Sequence, residues 1–151
     1  MSGNPPIAPI AGVGTIVEHM DLPGGRFNIL LRGRARVRLQ ELRFVAPYRR
    51  AIATLLEPEG PDAQPALVAA MHAAASAFAG FLRERDSSFS LRVPKDASPG
   101  QLADAYAHQL VVSARERQSV LEAVSSAVRV QRVTEILTVQ RATLAPAGDL
   151  N

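Results

Sequence analysis

The chain is predicted to be an α+β protein, with an antiparallel β subdomain over residues 1–58 and a helical subdomain over residues 59–151. Three observations predict this. Apolar residues recur at every second position in segments up to Leu56, the period of a half-buried strand. Glu57–Asp62, EPEGPD, then places two prolines, a glycine and three acids in succession, which extends neither a strand nor a helix interior. Beyond this boundary the apolar period lengthens to that of a helix.

The β elements follow in order. From Gly14 to Leu22, Ile16, Glu18 and Met20 alternate with Thr15, Val17 and His19. Leu22-Pro23-Gly24-Gly25 then supplies a fixed φ and two permissive residues for a reversal. Phe27, Ile29 and Leu31 alternate with Asn28, Leu30 and Arg32, and Gly33 interrupts the pattern where a bulge or a close backbone approach is expected. From Arg34 to Leu39 the alternation resumes, with Ala35, Val37 and Leu39 on one face. A further strand, Arg49–Leu56, is set off by Pro47 and ended by Pro58. Together these suit a twisted antiparallel meander.

Four helices are expected next. Leu67, Met71, Ala74, Phe78, Phe81 and Leu82 form one stripe on a helix of about six turns. Asp86–Asp96 reads as a loop. Ser98-Pro99-Gly100-Gln101 offers a capping hydroxyl, proline at the first helical position and a reciprocal glutamine, and Ser113-Ala114-Arg115-Glu116 repeats that logic. Leu102, Ala105, Tyr106 and Leu110 should face inward from the first of these helices, and Val120, Leu121 and Val124 from the second. Ser125 or Ser126 can cap the last helix, whose Val130, Val133, Leu137 and Leu144 form a stripe ending before Pro146. Short connections imply a bundle.

Bulk properties exclude several classes. A hydrophobic content of 47% suffices for a core. Without cysteine there is neither a disulfide nor a thiolate metal site. The start lacks the basic and apolar regions of a secretory signal, so a cytoplasmic location is expected. A net charge of +3, carried almost wholly by arginine with Lys95 the only lysine, falls short of the field of a dedicated nucleic-acid binder. Ala63–Leu82 is uncharged and of membrane-spanning length, but alanine dominates it and its large side chains keep to one stripe. That favours a bundle helix, with no membrane partner.

Leu102-Ala103-Asp104, then Arg117-Gln118 with Leu121-Glu122, then an apolar helix led by Arg129 follow in a specific order. Upstream, Gly14-Thr15 opens a strand, Gly33 with Arg36 and Arg38 sits inside another, and Pro47-Tyr48-Arg49-Arg50 leads a third. This combination resembles the LON substrate-binding domain, the amino-terminal region of Lon ATP-dependent proteases that also occurs in stand-alone LON-domain proteins. The resemblance implies a PUA-like β subdomain with a helical bundle, and a role in recognising exposed or unfolded polypeptide. In the family a further segment precedes the Gly-Thr strand. Only Met1–Ala11 stand in its place here, so an incomplete barrel is expected. The family's ATPase and Ser-Lys peptidase modules do not fit in the residues beyond Leu144, so no ATP-driven step is expected.

No catalytic constellation accompanies these motifs. His19, His72 and His108 lie in different segments without ligand-spaced partners, so no metal is expected. Lys95 lacks surroundings that would make it a buried base, and Gly12-Val13-Gly14 precedes a strand rather than the helix of a phosphate loop. No cofactor is implied, and the chain is not expected to be an enzyme. Phe78, Phe81 and Tyr106, at helical spacing, read as core.

Binding is therefore the expected function. Open strand edges can pair with an extended peptide while neighbouring apolar residues select its side chains. The expected peptide-binding residues are Leu22, Pro23 and Phe27 at the hairpin tip and Phe44, Val45 and Tyr48 at an edge-prone turn. The same edges suggest a homo-oligomer. The alternative is an RNA-binding module. Arg32, Arg34, Arg36 and Arg38 would then line one strand face at intervals of about 6.6 Å and contact anions, provided Gly33 does not shift the register; the competing reading is a solvated face paired with acids such as Glu18, Glu41 or Glu57.

Overall fold

Three antiparallel strands precede four helices in the computed structural model, which describes residues 5–144. The α+β class is the one expected. The stop at Pro146 lies outside the described residues. The chain divides into two compact units, Met1–Glu57 and Pro58–Asn151.

In the first unit β1 (Ile10–Leu22), β2 (Arg26–Glu41) and β3 (Ala51–Leu56) form one sheet in the order β1-β2-β3. The β1–β2 reversal uses Gly24 and Gly25 at φ 80 and 70, a left-handed region that side chains disfavour. β1 begins earlier than expected because Ile10–Val13 pair with Arg38–Ala35. β3 begins later because Arg49 serves the preceding turn: its Nε donates to Glu41 Oε1 at 2.5 Å and its Nη1 to the Pro5 carbonyl at 2.5 Å. The hydrogen bond from Arg49 holds the Glu41 carboxyl below the usual carboxylate range.

Two register shifts bend the β1–β2 ribbon. Val13 pairs with Ala35 but Gly14 with Gly33, so Arg34 is an extra residue on β2; Ile16 pairs with Leu31 but Glu18 with Leu30, so Val17 is extra on β1. Each is a bulge, and the second restores the count that the first disturbs. The close approach expected at Gly33 occurs on its partner. A Cβ at Gly14 would stand 2.6 Å from the Arg32 carbonyl oxygen, whereas one at Gly33 would meet nothing within 4 Å.

In the second unit α1 (Pro65–Arg85), α2 (Pro99–Leu110), α3 (Ala114–Glu122) and α4 (Ser126–Leu144) pack with α4 against the other three. Helix starts follow local chemistry. Ser98 and Gln101 form both halves of a capping box, and the Ser113 hydroxyl accepts the Glu116 amide. At α4 the Ser125 carbonyl accepts the Arg129 amide while Ser126 Oγ donates to Asp62 at 3.1 Å, which puts a carboxylate near the positive end of the helix dipole.

The core comprises Met71, Ala75 and Phe78 of α1, Ala103, Tyr106 and Leu110 of α2, Val120 of α3, and Val130, Val133 and Leu137 of α4, among others. Two expectations are corrected, for Leu67 and Leu144. Leu67 is exposed, and the buried seam of α1 runs instead through Met71, Ala75, Phe78 and Ala79; the small alanines allow close packing there. Leu144 is exposed at the last described turn. His72 is half-buried, with Nδ1 2.6 Å from the Tyr106 hydroxyl. α1 is long and apolar enough to cross a membrane by length and composition, and it buries Met71 and Phe78 in this core.

Burial raises the Tyr106 phenol above its ordinary value. The chain has two tyrosines, so a Tyr48→Phe variant isolates Tyr106 for ultraviolet titration. Its ionisation is expected above the usual tyrosine range. The sign follows directly: the unfolded chain releases this proton first as pH rises past about 10, so stability is full below that pH and falls through the folded value. An unshifted titration would contradict the burial.

Candidate functional site

The two units spend their apolar residues differently. Among the described residues only Ile10 and Val37 are buried in the β unit, while Ile16, Val17, Met20, Phe27, Ile29, Leu30 and Leu31 are all exposed. Phe27 is 63% and Leu31 58% exposed. Pairing explains why these residues converge. β1 follows β2 from Arg26 to Arg38, but β3 covers only Arg36–Glu41. From Arg26 to Ala35 the sheet is therefore a two-stranded ribbon, and β2 has a ladder edge that β3 does not reach. Isolated ribbons of this kind are marginal in water, and an apolar one with a free edge is a template for another strand.

The register assigns the faces. Phe27, Ile29 and Leu31 share one face with Ile16; Asn28, Leu30 and Arg32 share the other with Met20. Apolar side chains thus stand on both faces beside one open edge. A strand added to this edge would form main-chain hydrogen bonds with β2 and set its own alternate side chains against each apolar row.

The expected peptide-binding residues do not form one site. Leu22 ends β1, half-buried and paired with Arg26; Pro23 opens the turn; Phe27 starts the free edge opposite Asp21. Phe44, Val45 and Tyr48 lie beyond the far end of β2, where Val45 and Tyr48 form an isolated bridge. A strand of 16 residues separates the groups, roughly 50 Å at the usual rise. Apart from Leu22, the residues of both groups are exposed, with Tyr48 at 66%. Ile16, Val17, Met20, Ile29, Leu30 and Leu31, which fill the ribbon between them, were not expected as site residues. Their signal is in the sequence: Ile16-Val17 and Ile29-Leu30-Leu31 run apolar through consecutive positions, so neither face is reserved for water.

The arginine row is also corrected. The bulge at Arg34 breaks the alternation, leaving Arg36 and Arg38 on the face opposite to Arg32. Arg34 turns its Nε to Thr15 Oγ1 at 3.1 Å. A continuous one-face track of four guanidinium groups does not exist, and with it goes the geometry on which the RNA-binding alternative relied. His19, His72 and His108 lie on β1, α1 and α2; among the described residues no group of three His, Cys, Asp or Glu side chains could hold a metal ion.

In the helical unit the motif residues meet around one buried cation. Arg129 donates through Nη1 to the Ala123 and Val124 carbonyls, each at 2.8 Å, and its Nε lies 3.5 Å from Asp104 Oδ1. Gly100 leaves the room its guanidinium occupies. Leu102-Ala103-Asp104, the end of α3 and the start of α4 are thereby tied at one point.

Residues 1–139 match the family model described as the ATP-dependent protease La (LON) substrate-binding domain. The chain belongs to the LON substrate-binding domain family. Two relatives agree: Lon protease 1 of Thermus thermophilus is 31% identical over 135 residues, and Lon protease of Halothermothrix orenii 26% over 131. Each match covers 83% of this chain and 17% of the relative, so the LON domain here spans about a sixth of those proteins. The fold is shared with the N-terminal domain of Mycobacterium avium complex Lon protease, at a TM-score of 0.62 and 15% identity over 91% of this chain and 73% of that one. A Lon N-terminal domain protein from Xanthomonas campestris gives 0.56 and 16%, over 97% and 72%. Within this LON domain the Leu-Ala-Asp motif has a structural meaning: Leu102 packs on the core, Ala103 lies inside it, and Asp104 pairs with Arg129.

Proposed function

We propose that this chain is a non-catalytic polypeptide-binding module that takes up extended, apolar segments of unfolded protein by strand addition at β2. One observation carries the reading: from Arg26 to Ala35, β2 is paired by β1 but not by β3, with exposed apolar residues on both faces. The family's description as a substrate-binding domain supports the same use. Phe27, with Ile29 and Leu31, would grip one face of the segment, and Leu30 with Met20 the other. Leu22 and Pro23 would bound it at the turn, while Phe44, Val45 and Tyr48 would offer a second apolar contact beyond the far end of β2. The same edges are open to a second copy, so self-association at micromolar concentration belongs to the proposal and should yield to added peptide.

The test uses one apolar peptide in three forms: unmodified, and N-methylated on either set of alternate residues. Strand addition uses amides on one side of the peptide only. One methylated isomer should bind like the parent and the other about tenfold or more weaker, as expected for losing several ladder bonds. Equal binding by both isomers would reject strand addition. Sedimentation of the free chain as a 16.1 kDa monomer at these concentrations would reject the self-association.

A further inference from the structure

Charge divides unevenly between the two strands of the ribbon. On β2, Arg26 and Arg32 bracket the apolar stretch Phe27–Leu31, and Arg34 follows at the bulge; β1 carries Glu18 and Asp21. Register puts Arg26 and Arg32 on the same face, six residues apart, which is about 20 Å along a strand. The partner of Arg26 across the ladder is the uncharged Leu22; Arg32 is opposite Thr15, with Glu18 diagonal to it through the Glu18–Leu30 pair. β1 therefore offsets little of the charge at Arg26 and only part of that at Arg32. The stretch of β2 that β3 leaves uncovered is basic at both ends, with Asn28 and Leu30 between the arginines on their face and Phe27, Ile29 and Leu31 on the other.

We infer that this edge selects extended segments whose apolar centre is flanked by carboxylates spaced to meet Arg26 and Arg32. The inference rests on the strand-addition reading and adds a substrate class to it. A strand laid antiparallel along Arg26–Ala35 brings its own side chains opposite those of β2 on each face. Carboxylates six positions apart then fall opposite both guanidinium groups, whereas lysines at those positions face like charge. An unfolded segment is often apolar, so hydrophobicity alone discriminates little among substrates. The flanking charges supply register and choice, which is what electrostatic complementarity contributes at an exposed interface.

The experiment titrates the full chain with short labelled peptides that share one apolar centre and carry glutamate, serine or lysine at both flanking positions. The glutamate peptide is expected to bind about three- to tenfold tighter than the serine peptide, the range for two exposed ion pairs, and the lysine peptide weakest. Raising salt from about 50 mM to about 500 mM should collapse these differences, because the charges are screened. Arg26→Gln with Arg32→Gln should abolish the glutamate advantage and leave the serine peptide unchanged; the flank series on the unaltered chain stands even if that variant misfolds. Equal affinity for all three peptides would overturn the charge selection while leaving strand addition intact. Binding of none of them would overturn both. Tighter binding of oligouridylate than of the glutamate peptide would overturn the inference in favour of a nucleic-acid partner, and a second copy that no peptide displaces would overturn it in favour of self-pairing.

Discussion

Replacing Arg129 with alanine is expected to lower the stability of the helical unit by about 2–5 kcal/mol, the cost of leaving two buried carbonyls without a donor and opening a space beside them. Arg129 is 5% exposed. Its Nη1 serves the Ala123 and Val124 carbonyls just beyond α3, where a helix ends with acceptors that lack intrahelical donors and where a cation is favoured. Alanine strands both carbonyls and empties the space beside Gly100. The loss should come mainly from these acceptors. Asp104, with its side chain 36% exposed, can turn to water, so Asp104→Asn should cost about 1 kcal/mol or less. Lysine at position 129 keeps the charge and a nitrogen able to donate to both carbonyls, but loses the Nε that faces Asp104 and the guanidinium that fills the space beside Gly100, and should recover only part of the loss. Urea unfolding followed by helical circular dichroism measures all three variants. A loss under about 1 kcal/mol for Arg129→Ala would show that water replaces the guanidinium there.

Helix starts were legible because their chemistry is local. Ser98, Pro99 and Gln101 lie within one turn, and the structure forms both halves of their capping box. Arg129 was legible only as the leading residue of a resemblance. Its burial depends on Gly100, Asp104 and Ala123, which lie in other segments, and no periodicity reports that a glycine in one helix makes room for a guanidinium from another. The stripe of α1 was misplaced by a similar route. Large side chains suggested Leu67 as part of it, but the buried seam keeps Met71 and Phe78 of the expected stripe and adds the small Ala75 and Ala79.

In the sheet, alternation revealed the strands but not their registers. A bulge is a property of two strands at once: Gly33 marked the neighbourhood of one, yet nothing in β2 alone says that Arg34 is the extra residue or that Gly14 is where the backbones touch. The arginine row failed on that single offset, since one extra residue moves Arg32 to the other face. The candidate site was half legible. Phe27 was expected because it is aromatic and beside a turn. Ile29 and Leu31 were not, because an alternating apolar row normally means a covered face; they become candidates only once β3 is seen to stop short of them.

Gly14→Val is expected to disrupt the ribbon and with it peptide capture. The Cβ of any side chain here would stand 2.6 Å from the Arg32 oxygen and 3.1 Å from its carbon. Both are backbone atoms, so relief requires the strands to part where the first bulge sets the register. The apparent cost should be about 2–3 kcal/mol, the range for forcing atoms into a filled space. A ribbon that is marginal by itself has little stability to lose, so amide exchange along Gly14–Gly33 should accelerate throughout, and binding of the apolar peptide should fall at least tenfold. Two controls make the argument specific. Cβ atoms built at Gly12 and Gly33 meet nothing within 4 Å, so Gly12→Val should be neutral or mildly stabilising, since glycine pays the larger backbone entropy, and Gly33→Ala should be tolerated. If Gly14→Val exchanged and bound like the unaltered chain while Gly12→Val did not, the contact would not be what fixes the ribbon, and the faces assigned to Phe27, Ile29 and Leu31 would lose their basis. Intact exchange protection with lost binding would instead place the valine on the binding path itself, because the register would be preserved and only the surface beside β2 changed.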